Sequence, residues 1–196
     1  METLKEFTNL SDEQLAILSL DDHLAFATLI NRYQGKLLNY IKRISNSNED
    51  DASDILQDVF LKVYLNLNGF DSTLKFSSWI YSICHNQVIS NYRKIKVRPE
   101  GNSVPIDEFL LNKFIYDFNI EKEVDNNIAN KKIFSILDEL KEKWKEVLVL
   151  RFFEEKDYNE ISDIIKKPSG TVASMINKAK KEFKKKYQEK YIINLS

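Results

Sequence analysis

The chain has 196 residues, 43% of them hydrophobic, and a formal net charge of −1, which suits one large or two small globular domains and excludes wholesale disorder. Four glycines and three prolines give little punctuation, and no Asn-Gly or Asp-Gly pair separates two alternating apolar runs, so an all-β fold is excluded in favour of all-α.

Ser11 followed by Gln14 fits a capping box and predicts a first helix to about Leu20. A second is expected from about Asp22 to Ile44, with Phe26, Leu29, Ile30, Tyr33, Leu37 and Leu38 as its apolar positions. Asn46-Ser-Asn48 is a turn cluster, after which Asp50 or Asp51 should cap a third helix to about Leu67, broken by Asn68-Gly69. A loop to about Lys75 precedes a fourth helix from Phe76 to near Lys96, with Phe76, Trp79, Ile80 and Ile83 as its stripe.

Pro99 ends that unit. From Glu100 to about Asn127 the chain turns acidic yet keeps Phe109, Leu110, Leu111, Phe114, Ile115, Tyr116 and Phe118, which reads as a linker able to dock. Helices near Lys131–Leu140 and Glu142–Glu154 follow. The boundaries expected are a helical domain over 1–98, an acidic linker over 99–127 and a second helical domain over 128–196.

The segment from Asn159 to Lys181 holds two helical patterns broken at Lys166-Lys167-Pro168. Pro168 disfavours helix at Lys167, and Ser169 is a good N-cap for the second pattern. Val172, Ile176, Ala179 and Phe183 make one buried stripe, leaving Thr171, Ser174, Asn177, Lys178, Lys181 and Lys185 on the opposite face. A helix packed on one side and polar, short-chained and cationic on the other suits a DNA major groove. This predicts a helix-turn-helix.

The small net charge hides an asymmetry. Nine lysines stand against two glutamates from Ile164 to Lys190, and Arg93, Lys94, Lys96 and Arg98 form a second basic run. Two such runs suggest two contacts with a polyanion, although each alone also fits a solvated helix end. On the third helix Asp54, Gln57, Asp58, Leu61 and Leu65 form a face outside the Ile55–Val59–Val63 stripe. Such a face belongs either to a partner contact or to a helix buried on two sides of its own domain. The fourth helix joins aromatic residues to His85, Asn86, Gln87 and a basic end, a combination able to stack unpaired bases and follow a phosphate backbone. Most of its aromatic residues are expected in the core.

The stretch Asp50–Tyr64, then Phe70, then Phe76–Asn86, resembles region two of bacterial sigma factors of the small, two-domain extracytoplasmic-function type. Leu148–Glu154, Tyr158–Ile161 and Gly170–Ala179 resemble their region four. The resemblance covers about three quarters of the chain. It implies that Asp54, Gln57, Asp58 and Leu61 grip the clamp helices of core RNA polymerase. Phe70, Lys75, Asn86 and Arg93 would then serve the melted minus-ten element of promoter DNA, captured without ATP. Arg151, Thr171, Ser174, Lys178 and Lys181 would face the minus-thirty-five element. An anti-sigma factor is left open as a further partner.

Two departures from the family pattern carry expectations. Lys166 stands where a turn glycine is usual, predicting a non-glycine residue at positive φ. Ala173, Met175 and Asn177 replace residues that are often basic or aromatic, shifting the expected DNA contact from base edges to phosphates.

Cys84-His85 lacks further ligands at metal spacing, and neither a Gly-rich phosphate loop nor a G-x-S-x-G is present, so no enzyme, metal or cofactor is expected. The lone Cys84, a start lacking signal-peptide character and apolar stretches far short of the ~20 residues a bilayer requires predict a soluble cytoplasmic protein without membrane insertion. The sequence reading is a promoter-directing sigma factor. Its rival, a stand-alone helix-turn-helix regulator, accounts for residues 130 to 190 but not for the Asp54–Asp58 face.

Overall fold

The computed structural model describes Phe7 and residues 9–92, 104–118, 120 and 125–192, and these contain nine α-helices and no strand. The chain forms two compact units, one of Met1–Asn102 with Asp163–Ile165 and one of Ser103–Ser162 with Lys166–Ser196.

In the first unit, α1 (Asp12–Leu18) opens with the expected box: the Ser11 hydroxyl accepts from the Gln14 amide at 3.2 Å, and Gln14 Oε1 accepts from the Ser11 amide at 2.8 Å. Helix α2 (His23–Ser45) is capped by Asp22 and closed by Asn46 at φ 54°, a left-handed position that asparagine tolerates. Helix α3 (Glu49–Asn66) starts two or three residues earlier than expected. Its cap is Asn48, whose side chain accepts from the Asp51 amide at 2.8 Å, while Glu49, Asp50 and Asp51 fill the first turn. Those acids oppose the positive end of the helix dipole from inside the helix rather than capping it. A 3-10 turn over Leu67–Gly69 leads through the loop to α4 (Phe76–Tyr92).

Helices α2, α3 and α4 pack on one another, and α1 lies against α2 and α4. Their core holds Leu29, Leu37, Tyr40, Ile41, Val59, Val63, Phe76, Ile80, Cys84 and Val88. The buried stripe of α4 thus runs Phe76–Ile80–Cys84–Val88, whereas Trp79 and Ile83 are only half-buried. The expected Phe76–Trp79–Ile80–Ile83 stripe was turned too far around the helix.

The second unit begins inside the expected linker. Helix α5 (Glu108–Phe118) buries Leu111, Phe114, Ile115 and Phe118 and packs on α6 (Asn126–Asp138) and α7 (Glu142–Phe152). The Phe114 ring lies 4.1 Å from Phe118, 5.4 Å from Phe152, 5.3 Å from Phe153 and 5.2 Å from Phe183, centroid to centroid. Helix α6 starts well before Lys131 because Asp125 caps it by accepting from the Asn127 amide at 2.7 Å. Helices α8 (Tyr158–Ile165) and α9 (Ser169–Tyr191) follow, with α9 laid along α7 and α6. No helix among the described residues is long and apolar enough to cross a membrane.

Candidate nucleic-acid interface

The turn between α8 and α9 is built locally. Asp157 Oδ1 accepts from the amides of Asn159 and Glu160 at 2.9 and 2.8 Å, and Glu160 returns a carboxylate oxygen to the Asp157 amide at 3.1 Å. Helix α8 ends at Ile165, earlier than the proline alone suggested, because Lys166 takes the left-handed conformation at φ 54°. The Ser162 hydroxyl donates to the Lys167 carbonyl at 2.5 Å and fixes the exit. Ser169 does not cap α9. Pro168 occupies the N-cap, Ser169 is already helical, and no side chain caps this end.

On α9, Val172, Ile176, Ala179 and Phe183 are buried, as is Met175 at 9% exposure. Met175 therefore belongs to the packing face, and its identity has no bearing on base readout. Thr171, Ser174, Asn177, Lys178, Lys181 and Lys185 are exposed on the other side. The remaining lysines of the run divide by neighbour. Lys180 lies 5.3 and 5.6 Å from the centroids of Phe118 and Phe152. Lys190 bonds Glu139 at 2.5 Å and Ser135 at 2.6 Å, and Lys186 lies 3.6 Å from the same glutamate. These three hold the unit together, so the free cationic face is narrower than the lysine count implied.

Arg151 is half-buried, donating to the Lys156 carbonyl at 3.0 Å with its guanidinium 5.5 Å from the Tyr158 ring centroid. These contacts brace the entry to α8. Behind the turn, burial and the neighbouring Glu142 push the Glu146 carboxyl up to about 7, against the lowering effect of Lys167. Burial likewise pushes the Lys145 ammonium down, although Asp138 accepts from it at 2.8 Å.

The first unit presents two surfaces from α3. Asp54, Gln57, Asp58, Leu61 and Leu65 are all exposed, with Leu61 at 57% and Leu65 at 67%, so the helix is not buried on two sides. Around the helix, a cleft of about 390 Å³ is lined by Lys62, Asn66, Gly69, Trp79, Ile83 and Asn86. Trp79 is held at its edge by Phe70 and Phe76, with centroids at 5.2 and 5.5 Å, and Phe76 is fully buried. One cation, two amides and a braced indole around an open cleft can stack a base and hydrogen-bond its edge.

Of the residues expected at the minus-ten element, Asn86 is exposed and lines this cleft, and Phe70 is half-buried in its aromatic brace. Lys75 is exposed on the loop, where Asp71 accepts from the Thr73 amide at 2.9 Å and from its hydroxyl at 2.7 Å. Arg93 and the basic run with Lys94, Lys96 and Arg98 lie outside the described residues. Sequence reasoning assigned no role to Lys62 or Asn66. Their signal was the i, i+4 spacing from Asp58 through Lys62 to Asn66, which puts all three along one line of α3.

Comparison with known proteins agrees with this architecture. Residues 29–98 match the family model described as Sigma-70 region 2, and residues 131–183 match Sigma-70, region 4. The ECF RNA polymerase sigma factor SigW of Bacillus subtilis is 28% identical over 177 residues, covering 86% of this chain and 91% of that protein. The ECF RNA polymerase sigma-E factor of Haemophilus influenzae is 29% identical, covering 85% of this chain and 89% of that protein. Among solved structures, CnrH in complex with the cytosolic domain of CnrY superimposes with a TM-score of 0.69 at 20% identity, over 91% of this chain and 98% of that one. The sigma factor RpoE of Bartonella quintana, in complex with the anti-sigma factor NepR, gives a TM-score of 0.57 at 17% identity, over 83% of this chain and 98% of that one. The two matched regions, in this order and spanning more than half the chain, show that it belongs to the sigma-70 family of RNA polymerase sigma factors, in the extracytoplasmic-function group.

Proposed function

We propose that this chain binds core RNA polymerase and directs it to a restricted set of promoters, working in the cytoplasm beside the enzyme whose chemistry it recruits. In this reading the acid–leucine face of α3, around Asp54, Gln57, Asp58 and Leu61, meets the polymerase. The cleft between α3 and α4, with Asn86, Phe70, Lys75 and Arg93, captures unstacked bases of the minus-ten element. The exposed face of α9, with Thr171, Ser174, Lys178 and Lys181, meets the minus-thirty-five duplex together with Arg151. Residues 103–127 serve partly as tether and partly as the first packed segment of the second unit. The proposal extends to an anti-sigma partner, since RpoE of Bartonella quintana was solved with one.

The observation that carries this reading is the cleft, where Lys62, Asn66 and Asn86 surround Trp79. A stand-alone duplex-binding regulator would use the second unit alone and leave this cleft without a role. Protein of this kind adds binding energy to melted DNA, so it needs neither a cofactor nor ATP.

The test is Asn86→Ala assayed for promoter opening with a fluorescent base analogue at the minus-ten element. The variant should bind core polymerase like the wild type yet open the promoter about tenfold more slowly, the effect of one lost base contact of 1–3 kcal/mol. Equal opening by both proteins would overturn the placement of the base in this cleft.

A further inference from the structure

Asp58 and Lys62 are one helical turn apart on α3, a spacing at which an acid and a lysine ordinarily pair directly. Here the Gln87 side chain from α4 stands between them. Its Nε2 donates to Asp58 Oδ2 at 2.8 Å, and its Oε1 accepts from the Lys62 ammonium. Gln87 is only 7% exposed, so its amide is held by packing, and the two charges fix which way it faces. Asp58 lies on the face assigned to polymerase, and Lys62 lines the cleft assigned to the melted base.

We infer that Gln87 is a positioning residue that couples the two surfaces, drawing Lys62 away from the nucleic acid until Asp58 is engaged by polymerase. This rests on the function proposed above. A hydrogen-bond chain running from ammonium to amide to carboxylate is cooperative, because each donor polarises the next. A cation of the polymerase that takes Asp58 removes the anionic end of that chain. The Gln87 oxygen then holds Lys62 less strongly, and the local field at the cleft becomes more positive. Lys62 is released toward a phosphate or a base edge at the moment when the protein is on its enzyme. By linkage, melted DNA in the cleft must strengthen polymerase binding by the same factor.

The test uses the full chain and a short single-stranded minus-ten oligonucleotide carrying a fluorescent base analogue, titrated at low salt without polymerase. Asp58→Asn keeps the shape of the side chain and removes its charge, imitating engagement. It should tighten oligonucleotide binding roughly threefold, as loss of one unit charge about 6 Å away implies at the dielectric of water that reaches both exposed residues. Asp54→Asn removes the same charge one turn earlier, where no bond to Gln87 exists in the described contacts, and should change binding far less. In a Lys62→Met background Asp58→Asn should give no gain. Gln87→Met removes both hydrogen bonds at similar volume, and in that background Asp58→Asn should lose most of its gain, which a purely structural role for Gln87 does not require.

Equal gains from Asp54→Asn and Asp58→Asn would reduce the effect to bulk charge and overturn the coupling. So would an unchanged affinity in Asp58→Asn, an exposed substitution that leaves the core untouched. Wild type that binds neither the oligonucleotide nor core polymerase would instead overturn the function itself.

Discussion

The Tyr40 hydroxyl lies 3.0 Å from Nδ1 of His85, and both side chains are shut away from solvent in the core of the first unit. Burial holds the imidazole neutral and pushes its pKa from 6.5 down to about 4. Between those values the unfolded chain takes up a proton that the folded chain refuses. Stability is therefore fully present above pH 6.5 and is lost progressively as pH falls toward about 4. The loss should reach the order of 3 kcal/mol for this group. Urea unfolding followed through Trp79 in a Trp144→Phe background, at pH 7 and 4.5, measures it. His85→Asn, which is neutral throughout, should remove this slope, and a slope unchanged in that variant would show that other groups cause it.

Helix α5 supplies Phe114, which is fully buried among four other phenylalanines of the second unit. Phe114→Ala should cost about 3–5 kcal/mol, the range for a large aromatic removed from a packed core. A fragment starting at residue 128 lacks the whole helix and should melt at lower temperature than one starting at residue 103. Calorimetry on the two fragments decides this. Equal melting temperatures would mean that α5 adds nothing to the unit.

Lys166 holds φ at 54°, where a Cβ is unfavourable. Lys166→Gly should stabilise the second unit by about 0.5–1 kcal/mol, the relief of strain less the greater freedom of an unfolded glycine. Lys166→Val should destabilise it, since a branched side chain is least tolerated there. Denaturation midpoints of the two variants should fall on opposite sides of the wild type. Midpoints shifted in the same direction would refute the assignment of strain to this residue.

Exposed Lys181 and Lys178 and the bonded Lys190 should separate in DNA binding. Lys181→Ala should reduce the salt slope by about one and weaken all sequences alike. Lys178→Ala, nearer the start of α9, should relax discrimination at one base pair by roughly 1–3 kcal/mol. Lys190→Ala breaks bonds to Glu139 and Ser135 and should leave the salt slope unchanged. Titrations of promoter and scrambled duplexes at several salt concentrations read all three. A full unit of slope lost in Lys190→Ala would place it on the DNA.

Helix periodicity is local, and so most helices, the Ser11–Gln14 box and the buried stripe of α9 were legible in the residues alone, whereas the left-handed Lys166 was implied by the family resemblance. A 3.6-residue repeat also sets which side chains of α3 and α9 share a side, but whether the acid–leucine face of α3 is exposed or buried against its own domain stayed open until the structure was known. Asn48 and Pro168 were missed as caps because several neighbouring residues suit the position, and only backbone geometry selects one.

What tertiary structure decided are partnerships between residues far apart in the chain. Lys180, Lys186 and Lys190 carry the same charge as Lys178 and Lys181, yet contacts with Phe118, Phe152 and Glu139 occupy them within the unit. The aromatic-rich acidic stretch reads as a linker able to dock, and only packing shows where, with Phe114 and Phe118 meeting Phe152 and Phe183 from other helices. Gln87 looked like one polar residue among several on α4, and its place between Asp58 and Lys62 exists only once α3 and α4 are packed. A sequence states which groups a chain owns and which face of a helix carries them. Packing determines which charges and rings spend their interactions inside the molecule and which remain for a partner.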